Sequence, residues 1–311
     1  MSDQLIEAPR KKGPLVAVIA VVVIAVVAAL LYFLTRGDDD SAAAGGTSGK
    51  TVKIGVVGAS DPYWETYKQA AADEGIDVEI VDFTSYEQPN PAVDAGELDL
   101  NQFQHIVYLA DYNVSNDKNL VPIGSTAIYP LGLYSKKHDS AESIPDGATV
   151  AVPDDASNQA RGLLILQSAG LITLKDGGTI FSDLSDVDTD ASRVKVTDLS
   201  ADITATSLDD LDAAIINNDF VEKAGLSFDD AIAQDDPADP NALPYVNIFA
   251  AKAENKDDET YLKLVEIFQD TKAVTDGLQE VSGGTAELLK TPVADLEQSL
   301  EKVEKDTAAT K

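Results

Sequence analysis

The fold of this chain is decided by the stretch Leu98-Asp99-Leu100-Asn101-Gln102-Phe103-Gln104-His105-Ile106-Val107-Tyr108. Apolar residues predict a strand that ends at Leu100, and an apolar helical pattern follows the polar and aromatic residues. Two ring-bearing side chains and one of the chain's two histidines therefore stand at the carboxyl end of a predicted strand. Ligands bind at this edge of an open α/β sheet. We expect Phe103, His105 and Tyr108 to form one wall of a small-molecule site.

The composition of the chain excludes several classes of function. Among 311 residues, Asp and Glu number 54 against 23 Lys and Arg, which gives a formal net charge of −31. Because a surface this acidic repels a phosphate backbone, we predict no nucleic-acid partner. The chain has no cysteine and two histidines, too few for a thiolate site or a transition-metal cluster. We therefore predict no metal and no cofactor.

Catalytic motifs are missing from the sequence as well. It contains no nucleophile elbow, no zinc-type histidine pair and no glycine-rich dinucleotide fingerprint. Its acidic residues are abundant but spread along the chain, and most are expected to be solvated surface groups. We predict a binding protein and not an enzyme.

The amino-terminal part has the pattern of a membrane anchor. Three basic residues, Arg10-Lys11-Lys12, precede an unbroken apolar run from Leu15 to Leu34, which is long enough to span a bilayer as a helix. Basic residues on this flank place the amino terminus in the cytoplasm and the rest of the chain outside. The alternative is a cleaved signal peptide, for which Ala42-Ala43-Ala44 offers a small-residue cleavage pattern. We predict a cytoplasmic N-terminus (1–14), a single transmembrane anchor (15–35) and a flexible linker (36–50).

Alternating strands and helices predict the fold of the remainder. A buried strand at 52–57, a helix after Pro62 and a strand at 77–81 form a strand-helix-strand unit of a parallel sheet. The rhythm changes after Tyr129-Pro130, where the chain crosses into a second set of strands, and a strand at 245–249 crosses back. We predict an α/β protein of two lobes, with a hinge at the crossings and a cleft between the lobes. The predicted boundaries are 51–142 for the first part of lobe 1, 143–245 for lobe 2, and 246–311 for the return to lobe 1 and the C-terminal helices.

An arginine suggests a second wall for the cleft. Arg161 is predicted near the start of an apolar helix, where the helix dipole disfavours a cation. A bidentate guanidinium suits the carboxylate of an amino acid, so we interpret Arg161 as a ligand-binding residue. The alternative is a surface arginine paired with Asp154 or Asp155.

Three asparagines join this second wall. Asn217 and Asn247 end or interrupt apolar strands, and because asparagine is depleted in strands, we expect their side chains to hydrogen-bond in the cleft. Asn158 precedes the arginine, and its alternative role is a helix N-cap. For the aromatic residues of the opening stretch the alternative is ordinary core packing, and for the histidine it is a satisfied structural role.

Four groups of motifs occur in order along the chain. They are Asp99-Leu100-Asn101-Gln102-Phe103-Gln104-His105 with Tyr108-Leu109, Tyr129-Pro130-Leu131-Gly132-Leu133-Tyr134-Ser135-Lys136-Lys137, Val152-Pro153-Asp154-Asp155-Ala156-Ser157-Asn158-Gln159-Ala160-Arg161, and Leu163-Leu164-Ile165-Leu166-Gln167 with Gly170-Leu171-Ile172. Together they resemble the NlpA family of methionine-binding lipoproteins, which are substrate-binding components of methionine-uptake ABC transporters. The resemblance covers residues 52–285 and implies a periplasmic-binding-protein-like (type 2) fold.

The resemblance also implies a set of ligand-binding residues. Aromatic rings suit the thioether of methionine, whereas the arginine and the asparagines suit its carboxylate and ammonium groups. This chain departs from the family in three ways: it has no lipid-accepting cysteine, it has Asn218-Asp219-Phe220 where family members tend to have Thr-Thr-Tyr, and it has an extra C-terminal helix at 293–305. Carried over by motif, the methionine pocket consists of Tyr86, Phe103, His105, Tyr108, Asn158, Arg161, Asn217 and Asn247.

The predicted function follows from the anchor, the cleft and the resemblance. The chain is expected to be a single-pass protein of the cell membrane whose extracytoplasmic domain captures methionine or a related apolar amino acid. Its expected partners are an ABC permease and the ATPase of that permease. The alternative is a membrane-tethered amino-acid sensor or scaffold that uses the same fold without transport.

Overall fold

The computed structural model describes residues 51–239 and 241–310 of the chain. In chain order the strands are β1 (Val52–Val57), β2 (Val78–Phe83), β3 (Leu100–His105), β4 (Leu120–Ser125), β5 (Ala127–Ile128), β6 (Gly132–Tyr134), β7 (Thr149–Pro153), β8 (Lys195–Leu199), β9 (Ala213–Ile216), β10 (Ala233–Gln234), β11 (Asn247–Lys252) and β12 (Glu287–Leu288). The α-helices are α1 (Tyr63–Asp73), α2 (Pro89–Ala95), α3 (Ile106–Asn116), α4 (Ala156–Ser168), α5 (Ala201–Thr206), α6 (Asn218–Val221), α7 (Glu259–Asp270), α8 (Lys272–Val281) and α9 (Val293–Thr310).

The predicted membrane anchor cannot be compared with these elements. The cytoplasmic N-terminus (1–14), the transmembrane anchor (15–35) and the linker (36–50) all lie outside the described residues. Among the residues that are described, no helix is both long enough and apolar enough to cross a bilayer.

The first sheet has five strands in the order β2-β1-β3-β11-β4. Strand β1 pairs in parallel with β2 and β3, whereas β11 is antiparallel to β3 and β4. Helix α1 connects β1 to β2, as the predicted strand-helix-strand unit requires. An aromatic core lies between this sheet and helices α1 and α7, where Trp64, Tyr67 and Phe268 pack around Phe249 of β11.

The second sheet has five strands in the order β10-β6-β9-β7-β8. Strand β7 pairs in parallel with β8 and β9, whereas β6 is antiparallel to both β9 and β10. Its core joins Val150 and Ile215 of the strands to Leu163 and Leu166 of α4. All five strands lie between β5 and β11 in the chain, so the chain crosses between the sheets twice. Two sheets joined by two crossings are the arrangement that a two-lobed α/β protein requires.

Strand β3 differs from its prediction in position. The pattern predicts a strand that ends at Leu100, but the strand begins there and runs to His105, with all six residues buried. Its polar residues are accommodated because amide side chains bond to each other: Asn90 Nδ2 donates to Gln104 Oε1 (2.7 Å), and Asn101 Nδ2 donates to Asn90 Oδ1 (2.9 Å). The polar residues from Asn101 to His105, together with Phe103, therefore lie within the strand, whereas Tyr108 lies in the first turn of α3.

The second sheet begins earlier in the chain than the predicted boundary between 142 and 143. Strand β6 belongs to it, with Gly132 opposite Ile216 and Tyr134 opposite Ala214 of β9. The predicted boundary rests on the turn before β7, which is a local signal. The change of rhythm after Tyr129-Pro130 marks the crossing more accurately, because β6 begins at Gly132.

The C-terminal helix α9 packs against the first sheet and helix α3. Leu296, Leu300 and Val303 are buried in a core that also contains residues of α3. Asn113 Nδ2 of α3 donates a hydrogen bond of 2.7 Å to Glu304 Oε1. Because α3 begins at the predicted ligand site, α9 supports the helix that presents one wall of that site.

Candidate functional site

One cavity between the two sheets is lined by all eight predicted site residues. They are Tyr86, Phe103, His105, Tyr108, Asn158, Arg161, Asn217 and Asn247. The cavity measures about 20 Å³, which is room for roughly one water molecule. An amino acid therefore enters only when the two sides move apart.

Five further residues line the cavity that the sequence analysis did not assign to it. They are Gln104, Tyr129, Pro130, Leu131 and Asn218. Four of the five belong to motifs quoted above, so the signal was present, but local pattern did not distinguish lining residues from neighbours. Tyr129 to Leu131 lie on the first crossing between the sheets, where the chain passes the cavity.

Three aromatic rings form the apolar wall. The centroids of the Tyr86 and Phe103 rings are 5.8 Å apart, and those of Phe103 and Tyr108 are 5.7 Å apart with the rings nearly perpendicular. Phe220, from the side of the second sheet, packs 5.2 Å from Tyr86. Edge-to-face and tilted pairs of this kind are favourable arrangements. The rings are packed against one another, so ordinary core packing and a ligand-facing role coincide here.

His105 is held as a neutral histidine. Its Nδ1 accepts a hydrogen bond from the Tyr108 backbone N–H (3.1 Å) and so caps α3. This bond assigns the ring proton to Nε2, which donates to Asn158 Oδ1 at 3.3 Å. Burial, with a smaller effect from the charge of Arg161, lowers the pKa of His105 to about 3. The histidine is therefore a structural cap and a bridge to α4, with no positive charge near pH 7.

Asn158 connects the two sides of the cavity but does not cap its helix. Asp155 is the N-cap of α4, since its side chain accepts from the Asn158 backbone N–H at 2.9 Å. The Asn158 amide Nδ2 also donates to both carboxylate oxygens of Asp155, at 3.0 and 3.1 Å. A chain of hydrogen bonds thus runs from His105 through Asn158 to Asp155, from the first sheet to the second.

Arg161 is buried in the second turn of α4, only 6% exposed. Its Nε donates to Asp235 Oδ2 (2.5 Å), and its Nη2 donates to Asp235 Oδ1 (3.1 Å) and to the Tyr129 carbonyl (2.8 Å). Its guanidinium carbon lies 4.4 Å from the centroid of the Tyr245 ring. The alternative of a surface arginine paired with Asp154 or Asp155 is therefore wrong. These bonds engage Nε and Nη2, so Nη1 is the remaining donor of a residue that also lines the cavity.

Two asparagines complete the polar side of the cavity. Asn217 directly follows β9 and is 6% exposed, and its Oδ1 has no hydrogen-bond partner among the described residues. An unsatisfied buried oxygen costs about 1–3 kcal/mol, so this atom is suited to accept from a ligand N–H. Asn247 opens β11 directly opposite His105 of β3.

A second hydrogen bond crosses between the two sides. Tyr86, in the turn before α2, donates from its hydroxyl to Asp219 Oδ2 of α6 at 2.7 Å.

Among the described residues, no cluster of three His, Cys, Asp or Glu side chains has the geometry of a metal site. The arrangement is an aromatic slot with one cationic donor and one orphan acceptor, which is the chemistry that a zwitterion with an apolar side chain requires.

Comparison with known proteins agrees with this chemistry. The D-methionine-binding lipoprotein MetQ of Escherichia coli K12 is 37% identical over 238 residues, which are 75% of this chain and 86% of that protein. The substrate-binding protein of a methionine transporter from Streptococcus pneumoniae superposes with a TM-score of 0.72 at 34% identity, over 78% of this chain and 96% of the other. A nutrient-binding protein from Burkholderia cenocepacia, whose structure holds methionine, has a TM-score of 0.71 at 34% identity and covers 76% and 99% of the two chains.

All three relatives are named as binding proteins, and the one from S. pneumoniae is the substrate-binding protein of a methionine transporter. This agrees with the prediction of a binding protein and not an enzyme. The profile of the NlpA lipoprotein family matches residues 52–287, close to the limits that the sequence motifs indicated. That match covers both sheets and every residue of the predicted pocket. The chain therefore belongs to the NlpA lipoprotein family.

Proposed function

We propose that this protein captures methionine in the cavity between its two sheets, as the substrate-binding component of a methionine transporter. The observation that carries the proposal is that an aromatic slot, Arg161 and Asn217 with its orphan oxygen line one cavity. The names of the relatives from E. coli and S. pneumoniae, and the methionine bound in the B. cenocepacia structure, support the same ligand.

Each group of the ligand has a matching partner. The thioether fits against the rings of Tyr86, Phe103 and Tyr108, because sulfur packs favourably at ring edges. The carboxylate takes the Nη1 donor of Arg161, and the ammonium donates to Asn217 Oδ1. Neutral His105 contributes packing and keeps Asn158 oriented, and it adds no charge to compete with Arg161.

Entry of the ligand requires the cleft to open. A cavity of about 20 Å³ is far below the roughly 300 Å³ or more of small-molecule pockets. The two crossings, between β5 and β6 and between β10 and β11, are where the backbone rotates as the lobes separate. Closure then removes water from the Arg161 guanidinium and strengthens its attraction for the ligand carboxylate.

Transport and membrane attachment extend the proposal. We propose that an ABC permease with its ATPase receives the ligand, and that residues 15–35 anchor the domain on the extracytoplasmic side. The apolar run at 15–34 supports this anchor, because these 311 residues contain no cysteine to carry a lipid.

Titration calorimetry of the full chain in detergent against all twenty amino acids and D-methionine tests the ligand. We expect binding heat with methionine and little or none with aspartate or lysine. Absence of heat with every amino acid would refute the proposal. Crosslinking in membranes tests the partner, and we expect a permease subunit in the crosslinked product.

A further inference from the structure

Tyr86 and Asp219 come from opposite sides of the cleft and are joined by one hydrogen bond. Tyr86 follows β2 of the first sheet, and Asp219 lies in α6, directly after β9 of the second sheet. The tyrosine is 8% exposed and belongs to the aromatic wall that faces the ligand. Its hydroxyl donates to Asp219 Oδ2 at 2.7 Å. A hydrogen bond therefore joins this ring to a residue of the opposite lobe.

The surroundings of Asp219 disfavour a negative charge. A neighbouring cavity of about 180 Å³ contains both Asp219 and Asp61 at its lining, with the carboxyl of Glu222 nearby. Burial raises the pKa of Asp219 to about 7, and the charge of Asp61 acts in the same direction. Burial likewise raises the pKa of Asp61 to about 6. The titratable, charged and polar groups that face this pair are Tyr86, Asn218, Lys223, Glu222, Asp82, Tyr63 and Tyr129.

Only some of these groups favour a charged Asp219. Lys223 and the hydrogen bonds from Tyr86 and Asn218 lower its pKa, but burial exceeds them. Lys223 is exposed, and its ammonium lies 4.6 Å from the centroid of the Phe220 ring. Asn218 Nδ2 donates to Asp219 Oδ1 at 2.8 Å. A neutral carboxyl still bonds to Tyr86, because a carboxylic acid has one O–H donor and keeps an acceptor oxygen.

We propose that Asp219 is a positioning residue for the ligand, which fixes Tyr86 across the cleft and takes up a proton when the cleft closes. This inference rests on the proposed binding of methionine. Asp219 is half-buried in the closed form and lines the cavity of about 180 Å³. When the lobes separate, its bond to Tyr86 breaks and the carboxyl becomes fully exposed to water, so its pKa falls to that of an ordinary aspartate. The closed form therefore binds more protons than the open form.

The sign of the pH effect follows from this difference. The pKa of Asp219 is higher in the closed form than in the open form. Protonation of Asp219 therefore favours closure, fully at pH values below the ordinary pKa of an aspartate, and this contribution is lost as the pH rises to about 7. His105 acts in the opposite direction, because its pKa is lowered to about 3 in the closed form. A titration of the wild-type protein alone mixes the two effects. The ratio of Kd values for wild type and Asp219→Asn removes the contribution of His105.

The experiment measures the Kd of methionine by calorimetry at pH 5 to 8 for the full-length wild type, Asp219→Asn and the control Asp210→Asn. Asparagine keeps an acceptor for the Tyr86 hydroxyl but does not titrate, and Asp210 is an exposed acid in the same half of the protein. We expect the ratio of wild-type to Asp219→Asn Kd to rise at least about tenfold between pH 5 and 7 and then level off. The ratio of wild-type to Asp210→Asn Kd should stay constant over the same pH range. A constant ratio for Asp219→Asn overturns the inference.

A second measurement keeps the inference testable if Asp219→Asn does not fold. Calorimetry of the wild type at pH 7 in buffers of different ionisation enthalpy counts the protons that accompany binding. We expect net uptake, whereas His105 alone would cause net release; net release or no exchange overturns the inference. Absence of methionine binding by the wild type at every pH refutes the proposed function instead, so the two failures are distinguishable.

Discussion

Replacing Arg161 with alanine should weaken methionine binding and destabilise the protein by separate routes. The binding loss comes from the charged hydrogen bond between Nη1 and the ligand carboxylate, which contributes about 2–3 kcal/mol when its partner is buried. This loss corresponds to a rise in Kd of about 30- to 150-fold. Calorimetry of methionine binding measures it directly.

The loss of stability comes from Asp235. Its carboxylate receives two hydrogen bonds from the guanidinium, and the side chains of Arg161 and Asp235 are 7% and 27% exposed. Breaking a fully buried pair costs about 3–5 kcal/mol, and partial exposure of Asp235 reduces this to about 2–3 kcal/mol. Urea unfolding of the ligand-free protein measures the change in the free energy of unfolding.

A double variant separates the two effects. Arg161→Ala with Asp235→Ala leaves no unpaired charge, so it should recover part of the lost free energy of unfolding but none of the lost affinity. Arg193→Ala is the matched control, since Arg193 lies in the same lobe but pairs at the surface with Asp146. Wild-type affinity in the Arg161→Ala variant, or restored affinity in the double variant, would refute the assignment of Arg161 to the carboxylate.

Three further predictions concern other residues. Asn217→Leu should raise the free energy of unfolding by about 1 kcal/mol in urea unfolding, because an unsatisfied buried oxygen is removed. The same variant should bind methionine more weakly in calorimetry, and unchanged affinity would count against the assignment of Asn217 to the ligand ammonium. His105→Asn keeps a side chain able to cap α3 but removes a group whose pKa is lowered to about 3. The contribution of the histidine to stability is present above about pH 6.5 and falls towards acid by up to about 1.4 kcal/mol per pH unit. In urea unfolding, the free energy of unfolding of the wild type minus that of the variant should therefore decrease from pH 6.5 to 4.5. A constant difference would contradict a neutral buried histidine. Leu300→Ala should cost about 2–5 kcal/mol of unfolding free energy, because the side chain is buried between α9 and the first sheet; a loss below 1 kcal/mol would show that α9 is dispensable.

Much of the architecture was predictable because it depends on local patterns. The buried apolar run at 52–57 predicted β1 to the residue, and the helix predicted after Pro62 is α1. The acidic net charge of −31 was likewise available from composition, since net charge needs no fold to be counted. The resemblance to the NlpA family implied eight pocket residues, and all eight line one cavity.

The remaining features depend on contacts between distant parts of the chain. The pairing of Arg161 with Asp235, the addition of β6 to the second sheet and the bond from Tyr86 to Asp219 each join segments that no local pattern relates. Likewise, β3 can bury Asn101 and Gln104 because the amide of Asn90 bonds to both side chains.

The sequence by itself determined the alternation of strands and helices, the acidic charge and the chemical types in the pocket, because each is a property of neighbouring residues or of composition. Only the tertiary structure decided which partner each polar group has. Burial makes an unpaired polar group costly, and which groups become buried together is settled only when the two sheets pack across the cleft.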